Sequence, residues 1–346
     1  MPFEKLYIEL TDACNLNCVM CYRHNWPDLG GHMSHEMLEK IIGELGDNPS
    51  LKEIVLGGIG EPTVHPAFKE ILPRLDGYRV TVTTNGTTLD EDMSELFVRH
   101  VDRLVVSVDG SASVYDRIRG FEYFELLKNL QGMDAVKRRH RSHTPQLQIQ
   151  MVVSKDNQKD IPAVIEMASN LGASELILSN MIPVTLEDAE KILYTQFDNR
   201  EIYNYFQGIR PLAFRKGLEL RITESRVKTD RVCRFVDYEA MVVNSLGEVT
   251  PCYRLMHSGE EVVFNRLKKI EKAVYGRVME KTLLELWEDP HYVTFRNMVK
   301  GNRYPSCMDC DLVEGCDFVR STAADCHGNT PSCADCLWSR NIIYCV

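Results

Sequence analysis

Positive charge is scarce in this chain: its 346 residues carry a formal net charge of −10. A surface that grips phosphates needs a basic excess, so no nucleic-acid partner is expected. The single basic run, Lys137-Arg138-Arg139-His140-Arg141, closes a helical pattern and reads as a solvated helix end. Long apolar stretches are missing too. No run approaches the roughly 18 residues that a membrane-spanning helix requires, so no membrane partner is expected. The start of the chain lacks the charged-then-apolar pattern of an export signal, which predicts a cytoplasmic protein. A reducing compartment disfavours a disulfide framework and turns the twelve cysteines toward metal or cluster ligation. No internal repeat is visible beyond an alternation of strand and helix patterns.

What the chain does have is an uneven distribution of those cysteines. Three lie within the first 21 residues, none follows until Cys233, and nine crowd positions 233 to 345. The first three, Cys14-x3-Cys18-x2-Cys21, come directly after a strand-like run, Lys5-Leu6-Tyr7-Ile8-Glu9-Leu10. Three thiolates so close together can hold three irons of a [4Fe–4S] cube and leave the fourth iron open to a small chelating molecule. Zinc is the alternative, but a structural zinc site wants four closed ligands, and no fourth Cys or His stands in register. His24 is nearby on an Arg-Asn-Trp loop and reads as solvated.

Between the two cysteine regions, helix and strand alternate. Helices are expected at 34–45, 66–75, 91–100, 123–138 and 161–171, and strands at 53–58, 79–84, 103–108, 147–153 and 175–178. Strands rich in Val, Ile and Leu separated by helical periods imply βαβ units and a parallel sheet. In parallel barrels, chemistry gathers where loops converge at the carboxyl ends of strands, and the cysteine loop follows the first strand. Gly57-Gly58-Ile59-Gly60-Glu61-Pro62 follows the second. Such glycines let backbone approach a ligand closely, although a tight turn is the plain alternative. Thr84-Asn85-Gly86, Ser107 and Asp109 end later strands, where Asn-Gly and Asp-Gly also serve as ordinary turn formers. Beyond residue 182, Thr185-Leu-Glu-Asp188 has the form of a capping box, and 201–216 reads as another helix. A helix is also expected at 282–287.

The cysteine triad after a first strand resembles the signature of the radical S-adenosylmethionine (SAM) enzymes, with Met20 in place of the aromatic residue common before the third cysteine. That resemblance implies an α/β fold: a partial (β/α)6 TIM-like barrel. It also implies that SAM chelates the open iron and, on one-electron reduction, yields a 5′-deoxyadenosyl radical that abstracts a hydrogen atom. By the same resemblance, Gly57, Gly58, Gly60 and Glu61 form the motif that holds the amino group of SAM. Asn85, Ser107 and Asp109 contact its ribose and carboxylate. Arg119 is a further candidate for the carboxylate, since an arginine fork suits that group, with a surface salt bridge as the plain alternative.

Behind the barrel, Cys233, Gly247-x4-Cys252 and Cys307-x2-Cys310-x5-Cys316 resemble the small cysteine-rich SPASM domain, which carries auxiliary [4Fe–4S] clusters. Zinc at the Cys307 and Cys333 pairs is the alternative. The ending departs from the usual pattern: Cys326 comes late, and a Cys333-x2-Cys336 pair precedes Cys345. The family's interleaving would put Cys233, Cys252 and Cys326 on one cluster and Cys307, Cys310 and Cys316 on the other. Cys333, Cys336 and Cys345 are left to complete them in an order the spacing does not decide. The expected division is 1–182 for the radical SAM barrel, 183–230 for a helical bridge, and 231–346 for the SPASM domain. The expected cofactors are SAM and three [4Fe–4S] clusters, one binding SAM and two auxiliary.

SPASM relatives mostly modify peptides or proteins, and those that mature sulfatases carry a catalytic aspartate where this chain has Tyr253. Tyr253 is accordingly the candidate for taking or relaying a proton, against the plainer role of packing beside a cluster. The tail from Asp325 onward resembles that of the maturases associated with tungsten-containing aldehyde oxidoreductases. The implied function is a radical SAM maturase, in an anaerobic host, that abstracts a hydrogen atom from a peptide or protein and installs a modification or crosslink. A low-potential donor such as ferredoxin or flavodoxin would supply electrons. Oxidation of a small molecule and a non-enzymatic electron carrier are the alternatives; the carrier would have no use for a SAM pocket.

Overall fold

Strands covered on both faces must be apolar almost throughout, and Val, Ile and Leu dominate the strands here. In the computed structural model, which describes residues 2–27, 29–224 and 230–344, nine strands form one sheet. They are β1 (Lys5–Ile8), β2 (Glu53–Leu56), β3 (Arg79–Thr84), β4 (Arg103–Ser107), β5 (Gln146–Val153), β6 (Glu175–Asn180), β7 (Glu219–Ile222), β8 (Ala240–Val243) and β9 (Val249–Thr250). The spatial order is β7-β6-β5-β4-β3-β2-β1-β8-β9. Every neighbouring pair runs parallel except β8 and β9. The run from β1 to β6 is the expected (β/α)6 core, and all six residues of β6 are buried.

Helices cross between these strands: α1 (His35–Glu44), α2 (Phe68–Ile71), α3 (Glu91–His100), α4 (Ala112–Arg119), α5 (Tyr123–His140) and α6 (Ile161–Asn170). Their starts follow capping chemistry. Ser34 accepts a hydrogen bond from the Met37 amide at 3.2 Å, and Asp90 from that of Met93 at 2.7 Å. Each then buries residues a turn apart, Leu38 and Ile41 on α1, Met93 and Phe97 on α3. α2 is shorter than expected because Pro73 converts its second half into a 3₁₀ turn, Leu72–Leu75.

The stretch expected to be a helical bridge does more than bridge. It holds α7 (Leu186–Ala189), capped by Thr185, and α8 (Arg200–Arg215), and then adds β7 to the sheet beside β6. After α9 (Arg234–Asp237), the cysteine-rich region adds β8 at the other side, with Lys5 of β1 registered on both Glu53 and Ala240. Beyond the sheet lie the hairpin β10 (Gly259–Val263) and β11 (Arg266–Ile270), then α10 (Leu283–Trp287) and α11 (Pro290–Lys300). No helix among the described residues is long and apolar enough to cross a membrane. The amino ends of the central strands are tied by ion pairs from Glu53 to Lys5 and Arg103, so the two ends of the sheet differ in chemistry.

Candidate functional site

The carboxyl ends of the strands surround a cavity of about 250 Å³. Cys14, Cys18 and Cys21, on the loop after β1, all line it. Amide and guanidinium groups point at their sulfurs: Leu16 N lies 3.4 Å from Cys14 Sγ, Asn85 Nδ2 3.8 Å from the same atom, and Arg119 Nη1 3.8 Å from Cys18 Sγ. Burial pushes the Cys14 and Cys18 thiols above the ordinary cysteine range. Donors aimed at sulfur are what a thiolate-held cluster uses, so this loop fits a three-cysteine [4Fe–4S] site.

Gly58, Gly60 and Glu61 line the same cavity, as do Asn85, Ser107, Asp109 and Arg119. Gly57 stands just behind the wall, where a side chain would strike Thr83 Oγ1 at 2.4 Å. Gly58 has φ +110°, and a Cβ there would lie 2.8 Å from Glu9 Cγ, so only glycine fits this turn. Glu61 is 2% exposed and densely bonded. Its Oε1 accepts from Thr63 N, Thr63 Oγ1 and Thr84 Oγ1, and its Oε2 from Asn85 N at 2.6 Å. Burial nonetheless dominates and raises the Glu61 pKa, with those hydrogen bonds opposing. The carboxylate thus ties the loop after β2 to the end of β3 while Glu61 still lines the cavity.

Arg119 is no surface group. Its Nε donates to Asp109 Oδ2 at 2.5 Å, and Asp109 is fully buried, its Oδ1 accepting from Val152 N at 2.8 Å. Burial raises the Asp109 pKa, opposed by the Arg119 charge. Asp109 therefore holds the arginine in place, beside Cys18, rather than presenting a free carboxylate.

Tyr253, from the cysteine-rich region, reaches the cavity and packs edge-on against Tyr7 and Phe235, with ring centroids 5.3 and 5.4 Å away. Several lining residues escaped the sequence reading: Gln150, Ser179, Asn180, Trp338, Ile343 and Tyr344. The strand-end logic that found Asn85 applies equally to Ser179 and Asn180. The tail carries no such signal. It is pinned to β6, with Asn180 Nδ2 donating to Ile342 O at 2.9 Å and Tyr344 N to Ser179 Oγ at 3.1 Å.

The C-terminal cysteines sort into two groups. Cys233, Cys252, Cys333 and Cys336 line one small cavity. Burial pushes the Cys252 thiol up to about 12, and those of Cys233 and Cys333 up as well. The Cys307 thiol is likewise pushed up to about 12 by burial, with smaller contributions from the charges of Asp335, Cys326 and Cys316. Cys310 follows one 3₁₀ turn later, exposed. The interleaved expectation put Cys326 beside Cys233 and Cys252, whereas Cys333 and Cys336 line that cavity in the structure. The tail turns back here, with Cys307 N donating to Ala334 O at 3.1 Å. Cys345 lies outside the described residues. Among those residues, no three His, Cys, Asp or Glu side chains converge closely enough for a single metal ion. Four cysteines around one cavity, with the buried Nη1 of Arg254 in its wall lacking a hydrogen-bond partner among the described residues, fit a sulfur-ligated cluster.

A sequence model of the radical SAM superfamily matches residues 8–193, and one of the SPASM iron–sulfur cluster-binding domain matches residues 233–311. The chain is 38% identical to the tungsten-containing aldehyde ferredoxin oxidoreductase cofactor-modifying protein of Pyrococcus furiosus, over 98% of this chain and 96% of that one. It is 28% identical to the AdoMet-dependent heme synthase of Methanosarcina barkeri, over 91% and 90%. Among solved structures, SuiB of Streptococcus suis bound to precursor peptide SuiA superposes with a TM-score of 0.66 at 17% identity, covering 97% of this chain and 77% of that one. At such identity the likeness speaks for the fold.

Proposed function

This chain belongs to the radical SAM superfamily, as an enzyme of its SPASM-bearing maturase branch, and from that premise we propose that it matures a tungsten-containing oxidoreductase by hydrogen-atom abstraction from a peptide or protein segment. One observation carries the reading. The cysteine triad, the Gly58–Glu61 turn, the Asp109–Arg119 pair and Tyr253 all open onto a single cavity.

In this reading Cys14, Cys18 and Cys21 hold the SAM-binding cluster. Glu61 would accept the ammonium of SAM, and Arg119, fixed by Asp109, would pair with its carboxylate. Asn85 and Ser107 position the ribose. SAM on a reduced cluster supplies the hydrogen-abstracting radical. Tyr253, which lines the cavity, is the candidate to take or relay a proton in this reading. Cys233, Cys252, Cys333 and Cys336 hold one auxiliary cluster, and Cys307, Cys310, Cys316 and Cys326 the other. A low-potential carrier such as ferredoxin or flavodoxin delivers electrons, in the cytoplasm.

A second reading takes as substrate the organic cofactor of the oxidoreductase. The relative in Pyrococcus furiosus is named for cofactor modification. Anaerobic turnover with SAM and dithionite separates the two: substrate-dependent 5′-deoxyadenosine with a mass change on the apo-oxidoreductase or its peptides supports the first. A change confined to the free cofactor supports the second. No SAM cleavage with either would sink both and return the electron-carrier alternative.

A further inference from the structure

Arg254 is the one charged side chain in the described wall of the cavity formed by Cys233, Cys252, Cys333 and Cys336. It is 2% exposed and heads a fully buried chain of ionic groups. Its Nε and Nη2 donate to Glu261 Oε1 at 2.9 and 2.5 Å, and Nη2 also to Asp335 Oδ1 at 3.1 Å. Asp335 Oδ2 takes Lys268 Nζ at 2.8 Å, and Glu261 Oε2 accepts from Tyr22 OH at 3.1 Å. Two cations and two anions balance here, so as a structural tie the network is complete without Nη1. Yet that third arm of the guanidinium is buried and has no hydrogen-bond partner among the described residues. Proteins seldom leave such a donor unmatched, and a charged one is costlier still. Something belongs beside it.

We propose that Arg254 is the residue that sets the reduction potential of the auxiliary cluster held by Cys233, Cys252, Cys333 and Cys336, its Nη1 donating to cluster or cysteine sulfur. The inference goes beyond the maturase reading and rests only on these four cysteines being cluster ligands. The redox step itself is simple. An oxidised [4Fe–4S] cube takes one electron from a low-potential donor and gains one negative charge, with no bond made or broken. A guanidinium is permanently cationic, so it stabilises the more negative, reduced form and raises the potential. Glu261 and Asp335 fix the guanidinium in this position. Through Glu261 it is also registered to Tyr22, the residue after Cys21, so the SAM cavity and the auxiliary site share one rigid buried frame.

The test is a redox titration of the anaerobically reconstituted full chain, followed by electron paramagnetic resonance, with Cys14, Cys18 and Cys21 changed to Ala to silence the SAM-binding cluster. Arg254→Gln should lower the reduced-to-oxidised ratio of one auxiliary signal about tenfold at fixed potential, which is 59 mV for one electron. Arg254→Lys, keeping the charge, should restore most of it. If Arg254→Gln alone loses iron, Arg254→Gln with Glu261→Gln removes charge in a balanced pair, and a smaller downward shift is expected, since loss of the Glu261 anion opposes it. An unmoved midpoint in an iron-replete variant overturns the proposal. So does an unchanged iron content in Cys333→Ala, which would show that these four cysteines hold no cluster.

Discussion

Glu61 is where the chemistry of single residues is easiest to test. A charge-assisted hydrogen bond is worth about 1.5–3 kcal/mol, so Glu61→Gln should weaken SAM binding roughly ten- to a hundredfold, measured by anaerobic calorimetry. Because burial raises the Glu61 pKa, SAM affinity should begin to fall, as pH drops, above the usual Glu value of about 4.3. For the apoprotein the sign is opposite. A raised folded pKa contributes stability below the ordinary Glu pKa and loses it as pH rises through the shifted value, a trend that Glu61→Gln should abolish in thermal melts. The thiols give a second pH signature. Burial raises the pKa of Cys14, Cys18, Cys252 and Cys307, so cluster insertion must expel protons. Iron uptake during reconstitution should therefore improve from pH 7 toward pH 9, read as iron bound per chain.

Single elements show how the cysteine sets are built. Cys326→Ala should cost the cluster near Cys307 and spare the one bounded by Cys333 and Cys336, so iron analysis should drop by about four per chain, one cube's worth. A loss of the other cluster's signal would restore the interleaved pairing. The strands and helices of the first 180 residues were legible because each carries its own periodicity and cap, as Asp90 and Phe97 do for α3. α4 escaped notice because its start is hidden in the Gly110-Ser111 turn that ends the preceding strand. The candidate site was legible as far as the triad, the Gly58–Glu61 turn and the strand ends. Arg254, Lys268 and Asp335 were invisible, since a charged residue in a loop reads as solvated until packing encloses it. The grouping of Cys326 depends on the tail's return, which no spacing records.

At the scale of the whole molecule, the sheet ignores the boundary between the two matched families. β8 comes from the cysteine-rich region, yet it pairs with β1 over four residues, Lys5↔Ala240 to Ile8↔Val243. A fragment ending at residue 193 would leave β1 as a bare, apolar edge, and such edges aggregate. Expressed alone, residues 1–193 should be insoluble or self-associated by size-exclusion chromatography, whereas the full chain stays in solution. A soluble monomeric fragment would show that β8 merely decorates a self-sufficient barrel.

The same interlocking fixes an order of events in the cell. Cys233 and Cys252 share a cavity with Cys333 and Cys336, and the wall of the cavity at the strand ends includes Ile343 and Tyr344, synthesised long after the triad. At about 5–20 residues per second, the triad spends tens of seconds outside the ribosome before its chamber can close. Cluster loading on the four-cysteine site therefore has to wait until Cys333 and Cys336 have been made, long after the triad's thiols emerge.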